Sequence, residues 1–219
     1  MELHELLRTQ KVWDTELPEF DPGAAPADPL ALFSEWFAGA VAAGQPEPHT
    51  MALATVDEHG APDVRTVMLH GADAAHGWSF ATHATSRKGR QLAAAPRAAL
   101  HFYWPAQARQ IRLRGTVGTA SPDESQSDLH ARSVGALAAA LVGRQSEVLP
   151  SLDELQRASD AAWHRAQEEP TAPAPTWTLY HLRPTEAEFF QGDARRRHVR
   201  LNYRLREGGA GWRKELLWP

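Results

Sequence analysis

The chain has no cysteine among its 219 residues. This excludes a disulfide framework, thiolate chemistry and any metal site built on thiolates. It also fits a reducing cytosol, so a cytoplasmic location is expected. Long hydrophobic runs are missing as well. The longest aliphatic stretch lies near Ala136 to Val142, far too short to span a bilayer. Met1 to Lys11 mixes Glu, His, Leu and Arg and lacks the apolar core of a signal peptide. There is no excess of positive charge: 23 Lys and Arg stand against 27 Asp and Glu, for a net charge of -4. No global basic field argues for a nucleic-acid partner, and no segment argues for a membrane. The glycine-rich phosphate loop, the G-x-G-x-x-G dinucleotide turn and the G-x-S-x-G nucleophile elbow are all absent. The 11 His show no H-E-x-x-H or comparable spacing, so no metal is expected.

What is present begins as an arm, residues 1–27, broken by Pro18, Pro22, Gly23 and Pro26. Asp28-Pro29 then supplies an N-cap and a proline for the first helical position. Leu30, Phe33, Phe37 and Val41 recur at helical spacing up to Gly44, which predicts a core-facing stripe. From His49 the period changes to that of strands. Met51 to Val56 and Val64 to Leu69 flank a turn at Asp57-Glu58-His59-Gly60. Trp78 to Thr82, Ala98 to Trp104 and Gln110 to Val117 continue the series. In the last of these, Gln110, Arg112, Arg114 and Thr116 share one face, and Ile111, Leu113 and Val117 the other. Ser86 is placed to cap a short helix, Arg87 to Ala94, that stops before Pro96. Helices are predicted over Pro122 to Arg132 and Leu152 to Gln167. Four strands follow: Trp177 to Leu182, Ala187 to Phe190, Arg200 to Arg204 and Trp212 to Leu217. An antiparallel meander of this kind tends to close into a barrel, which removes exposed edges. The expected architecture is therefore mainly β with peripheral helices, one domain over 28–219 with a helical insert at about 122–168.

Three stretches set cations beside strand-like residues: Arg65-Thr66-Val67-Met68-Leu69-His70, Ser86-Arg87-Lys88-Gly89 and Arg109-Gln110-Ile111-Arg112. A phosphate needs several fixed donors, because one exposed cation holds it weakly. Ser86 and the helix it opens would present N–H groups while Arg87 and Lys88 neutralise charge. Gln110 can both donate and accept, as the edge of a heteroaromatic ring requires. A fourth cluster, Arg195-Arg196-Arg197-His198-Val199-Arg200, follows the apolar strand Glu188-Phe189-Phe190-Gln191 and its turn at Gly192, and is placed for a second anion.

With these motifs assembled, the chain resembles the pyridoxine/pyridoxamine 5'-phosphate oxidase family, whose fold is a six-stranded-type antiparallel split β-barrel that binds FMN. The resemblance runs from about Asp28 to Pro219. It is carried by Asp28-Pro29-Leu30, Leu53-Ala54-Thr55-Val56-Asp57, the three basic stretches, Gln145-Ser146, Glu188-Phe189-Phe190-Gln191-Gly192 and Arg196-Arg197-His198-Val199-Arg200. It implies a homodimer with FMN at the subunit interface, a small-molecule substrate and dioxygen as acceptor. Arg65, Arg87 and Lys88 would bind the cofactor phosphate and ribityl region. Thr66, Val67, Met68, Thr82 and Ser86 would line it. Gln110 would meet the isoalloxazine edge, and Gln145, Ser146, Phe190 and Arg200 would complete the site, some of them from the partner chain. Arg196 and His198 would contact substrate, with His70 and Arg132 beside them.

The substrate side departs from the family pattern. The family's Arg-x-Val-Leu-Leu-Lys motif ends here in His70. Its Tyr four residues before Arg132 corresponds to Asp128, and its Ser four residues after corresponds to Ala136. Its Trp before Gln-Gly is Phe190, and its Arg-Leu-x-Pro ending reads Leu216-Leu217-Trp218-Pro219. The resemblance implies an FMN-dependent oxidase that carries out a two-electron oxidation of a small aromatic or heteroaromatic substrate, a class that includes pyridoxine and pyridoxamine 5'-phosphate. Two alternatives stand beside it: an oxidase of a non-phosphorylated substrate such as a phenazine precursor, and a flavin binder without turnover.

Overall fold

The computed structural model describes residues 2–13 and 16–219; Met1, Asp14 and Thr15 of the arm lie outside the described residues. Six α-helices and nine strands are formed among them. They are α1 (Leu3–Arg8), α2 (Pro29–Ala42), β1 (Thr50–Val56), β2 (Pro62–Met68), β3 (Gly71–Asp73), β4 (Gly77–His83), α3 (Arg87–Ala94), β5 (Arg97–Trp104), β6 (Arg109–Thr119), α4 (Pro122–His130), α5 (Val134–Val142), α6 (Leu152–Glu168), β7 (Trp177–Gln191), β8 (Val199–Leu205) and β9 (Trp212–Leu216). The strands are hydrogen-bonded in the order β2-β1-β5-β6-β7-β4-β3, with β8 on β7 and β9 on β8. The ladders β3–β4, β4–β7, β7–β8 and β8–β9 are antiparallel.

The chain divides into two compact units. The first comprises Met1–Met51, Leu100–Leu113 and Pro184–Pro219. Its core is aromatic. Phe33 meets Phe102 at 5.2 Å, Trp36 stands edge-on to Phe189 at 5.3 Å, and Phe189 packs on Tyr203 at 5.7 Å. Such pairs add about 0.5–1.5 kcal/mol beyond the area they bury. Helix α2 starts as the sequence predicts: the Asp28 carboxylate accepts from the Leu30 N–H at 2.8 Å and Pro29 takes the first position. Its buried face is Leu32, Phe33, Trp36 and Ala40, while Val41 is 54% exposed. The predicted stripe was thus rotated by about one residue, because Trp36 rather than Val41 reaches the sheet side.

The second unit comprises Ala52–Ala99 and Arg114–Arg183. Leu129, Leu137, Ala138, Ala140, Ala166 and Ala174 form a core among its helices, with Leu141 and Trp177 against it. Helix α5 was not anticipated. Ser133 caps it through the Ala136 N–H, and Gly143 closes it at φ 70°, the left-handed conformation glycine favours. Helix α3 lies so close to the chain before it that a methyl group at Gly89 would come within 2.4 Å of the Ala84 carbonyl oxygen.

Two further differences concern strands. The three-residue β3 is too short to show an alternation. The predicted strands 177–182 and 187–190 are one strand that runs through Pro184. Pairing with β4 ends at Leu182 and pairing with β8 begins at Glu186. Pro184 falls in that gap, where a missing N–H breaks neither ladder.

Candidate cofactor and substrate site

In the second unit Arg65 is fixed from several sides. Its Nη1 donates to the Thr55 hydroxyl at 2.6 Å and the Leu53 carbonyl at 3.0 Å; its Nη2 donates to Gln91 Oε1 at 3.0 Å and pairs with Asp63 at 2.7 Å. Thr55 and Gln91 are buried and bonded to each other at 2.7 Å. Neither was singled out in the sequence. The available signal was that Gln91 sits three residues after Lys88, on the same face of α3.

Lys88 differs from Arg65 in its partners. Its Nζ donates to Gln145 Oε1 at 2.9 Å and to Thr82 Oγ1 at 3.2 Å, and the Thr82 hydroxyl donates to the same Gln145 oxygen at 2.7 Å. Burial lowers the Lys88 pKa, the Arg65 charge lowers it further, and Asp63 opposes both. A half-buried cation bonded to neutral oxygens, with a second cation nearby, lacks negative charge. A phosphate group supplies what these donors lack, so the residues present fit a phosphate-bearing cofactor. Gln145 and Ser146 reach this cluster from their own chain, Ser146 at φ 75°.

The start of α3 is less open than its sequence implies. Ser86 is fully buried, and its hydroxyl accepts from the Gly89 N–H at 3.2 Å. The Ser86 N–H donates to the His83 carbonyl at 3.0 Å, and the Arg87 N–H to the Ser146 hydroxyl at 3.1 Å. Ser86 is therefore a cap rather than a free donor, and the cations beside it are the side chains of Lys88, Arg65 and the exposed Arg87. On β2, Arg65 and Val67 are half-buried, while Thr66 and Met68 are exposed on the opposite face, so those two side chains do not join Arg65.

Two of the departures on the substrate side, His70 and Asp128, form one cluster with Arg132. His70 Nδ1 lies 3.0 and 3.1 Å from the two Asp128 oxygens, and Arg132 Nη2 donates to Asp128 Oδ1 at 2.9 Å. Burial alone would raise the Asp128 pKa. The hydrogen bonds and charges of His70 and Arg132 outweigh it and hold the carboxyl well below the usual carboxylate range. Arg132, expected beside the substrate contacts, is thus occupied by Asp128. Ala136 lies in the first turn of α5 and donates its N–H to Ser133.

The remaining candidates lie in the first unit. Gln110 Oε1 meets His101 Nε2 at 3.1 Å. Glu188, buried, binds Arg112 Nη2 on one oxygen and Arg200 Nε at 2.8 Å on the other. Arg200 also donates to the Trp218 carbonyl at 2.8 Å. Phe190 is directly opposite Arg200 in the β7–β8 register, and its ring centroid is 5.1 Å from that of His198. His198 Nδ1 accepts from the Asp193 N–H at 3.1 Å. Arg196 stands at φ 65°, with its guanidinium 5.7 Å from the Trp13 ring centroid. A groove of about 640 Å³ borders this loop, lined in part by Phe20, Asp21, Asp193, Arg197 and Val199.

A family model described as pyridoxamine 5'-phosphate oxidase matches residues 37–166, and one described as the pyridoxine 5'-phosphate oxidase C-terminal dimerisation region matches residues 177–219. A pyridoxine/pyridoxamine 5'-phosphate oxidase of Pseudomonas fluorescens (strain SBW25) is 43% identical over 198 residues, covering 89% of this chain and 90% of that one. The chain belongs to the pyridoxamine 5'-phosphate oxidase family. Another family member, from Rubrobacter xylanophilus, is 42% identical over 91% of this chain and 90% of its own. Among solved structures, PhzG from Burkholderia lata 383, in complex with tetrahydrophenazine-1-carboxylic acid, matches with a TM-score of 0.83 and 29% identity, covering 95% of this chain and all of that one. A pyridoxamine 5'-phosphate oxidase-related, FMN binding protein from Nostoc punctiforme matches in fold at a TM-score of 0.66.

The fold is thus the mainly antiparallel split barrel of this family, and the chain is a flavoprotein oxidoreductase with a C-terminal dimerisation region. Among the described residues, no helix is long and apolar enough to cross a membrane.

Proposed function

We propose that the protein binds FMN between two copies of the chain and carries out a two-electron oxidation of a small heteroaromatic substrate. The observation that supports this most directly is Lys88, half-buried beside Arg65 and bonded only to neutral oxygens. Lys88, Arg65 and Arg87 would hold the phosphate, Gln110 the ring edge, and Phe190 and Arg200 the far side. The chemistry FMN supplies when bound is acceptance of a hydride equivalent at N5 and its discharge to dioxygen.

Arg196 and His198 orient the substrate in this reading. Because His198 Nδ1 accepts a backbone N–H, the proton of the neutral ring sits on Nε2, which can donate it to a substrate heteroatom.

The curated relatives favour pyridoxine or pyridoxamine 5'-phosphate as substrate. One observation favours a second reading, an unphosphorylated substrate: Asp128 occupies Arg132 and sets a carboxylate where the family pattern has a hydroxyl. Anaerobic titration of the FMN-loaded protein with pyridoxamine 5'-phosphate separates the two. Bleaching of the flavin band supports the first reading. A bound flavin that bleaches only with unphosphorylated aromatic donors supports the second. Protein that retains flavin but bleaches with neither class overturns the oxidase assignment.

A further inference from the structure

Gln110 has a neighbour that the sequence did not connect with it. His101, on β5, places Nε2 at 3.1 Å from Gln110 Oε1, and both side chains are half-buried. An imidazole N–H donated to the amide oxygen fixes the orientation of the amide. The Gln110 NH2 group then points away from His101 with both hydrogens free to donate. On the same sheet Glu188 takes up Arg112 and Arg200.

We infer that His101 is a positioning residue that makes Gln110 present N–H donors, rather than its carbonyl oxygen, to the edge of the bound flavin. This rests on the reading that Gln110 meets the ring. The acceptor atoms at the pyrimidine edge of the ring gain electron density when two electrons are added. A donor fixed by His101 therefore favours the two-electron-reduced cofactor over the oxidised one. An amide free to turn would offer its oxygen to the same edge and lose that preference. His101 tunes the redox balance of the site without touching the cofactor.

The test uses FMN-loaded protein and three variants, His101→Leu, His101→Gln and Gln110→Ala. The readouts are the midpoint potential by dye-coupled titration and FMN affinity by fluorescence quenching. Removing the imidazole is expected to cut the preference for the reduced cofactor by about ten-fold, a downward shift of roughly 30 mV for a two-electron couple. FMN affinity should change by less than about three-fold, because His101 makes no contact with the cofactor in this reading. His101→Gln keeps a side-chain N–H and should recover the wild-type potential. A shift in Gln110→Ala without one in His101→Leu overturns the positioning role, as does failure of His101→Gln to recover. If Gln110→Ala changes neither readout, the assignment of Gln110 to the ring edge fails, and the inference falls with it.

Discussion

Two cation clusters in the second unit differ in where the carboxylate sits. At Lys88 and Arg65 the available carboxylate, Asp63, pairs with Arg65, and Lys88 is left to neutral oxygens. At His70 and Arg132, Asp128 sits between the two and bonds both. The first arrangement has charge to offer a ligand, and the second has settled its charge internally. A count of basic residues along the chain treats the two alike. Only the position of one acidic side chain separates a cluster with charge to offer from a neutralised one.

The largest test of this contrast is Lys88→Ala. Loss of a charge-assisted contact of about 1.5–3 kcal/mol predicts FMN binding weakened by roughly ten- to hundred-fold. Equilibrium dialysis measures it; binding unchanged within two-fold would remove Lys88 from the cofactor site. A smaller effect is expected from the second cluster. Asp128→Asn, alone and with His70→Lys, releases Arg132 and should raise the kcat/KM ratio of pyridoxamine 5'-phosphate over pyridoxamine by about ten-fold. An unmoved ratio would mean that Asp128 is not what sets the charge seen by the substrate.

The smallest effect is on stability. Burial, followed by the nearby Lys88 charge, lowers the pKa of His83, which bonds Thr176 at 2.8 Å. The folded protein therefore holds His83 neutral over a range in which the unfolded chain protonates it. Stability from this group is complete above the unfolded value of about 6.5 and declines as pH falls below it. Urea unfolding at pH 7.5 and 5.5 should show a smaller pH dependence in His83→Gln than in the parent. Equal slopes would show that His83 gains its proton as readily in the folded state.

The local features were the legible ones. The caps at Asp28 and Ser86 and the turn at Asp57 to Gly60 depend on residues within a few positions, and the structure has them where the sequence places them. The alternation of β6 was also readable, because period-2 burial is written in the strand itself. Helix α5 was overlooked because an alanine-rich run has no polar face to give a period, although Ser133 and Gly143 marked its ends. The joined strand β7 was hidden by Pro184, whose cost depends on partners elsewhere in the chain. The site was half legible. Its cations were visible as motifs. The web of Thr55 and Gln91 around Arg65 was not, since those contacts join residues 10 to 36 positions apart. Asp128 was recognised as a departure from the family pattern, but its grip on both His70 and Arg132 needed the geometry.

Gly89 has a meaning beyond packing. Lys88 and Gln91 leave the same turn of α3, one toward Gln145 and the other onto Arg65, and the helix can lie where it does because position 89 has no side chain. A single added carbon there would lift both side chains together. In terms of heredity, the candidate site carries a weak point at a residue with no functional group at all, where a substitution would displace Lys88 and Gln91 without altering any residue proposed to bind the cofactor.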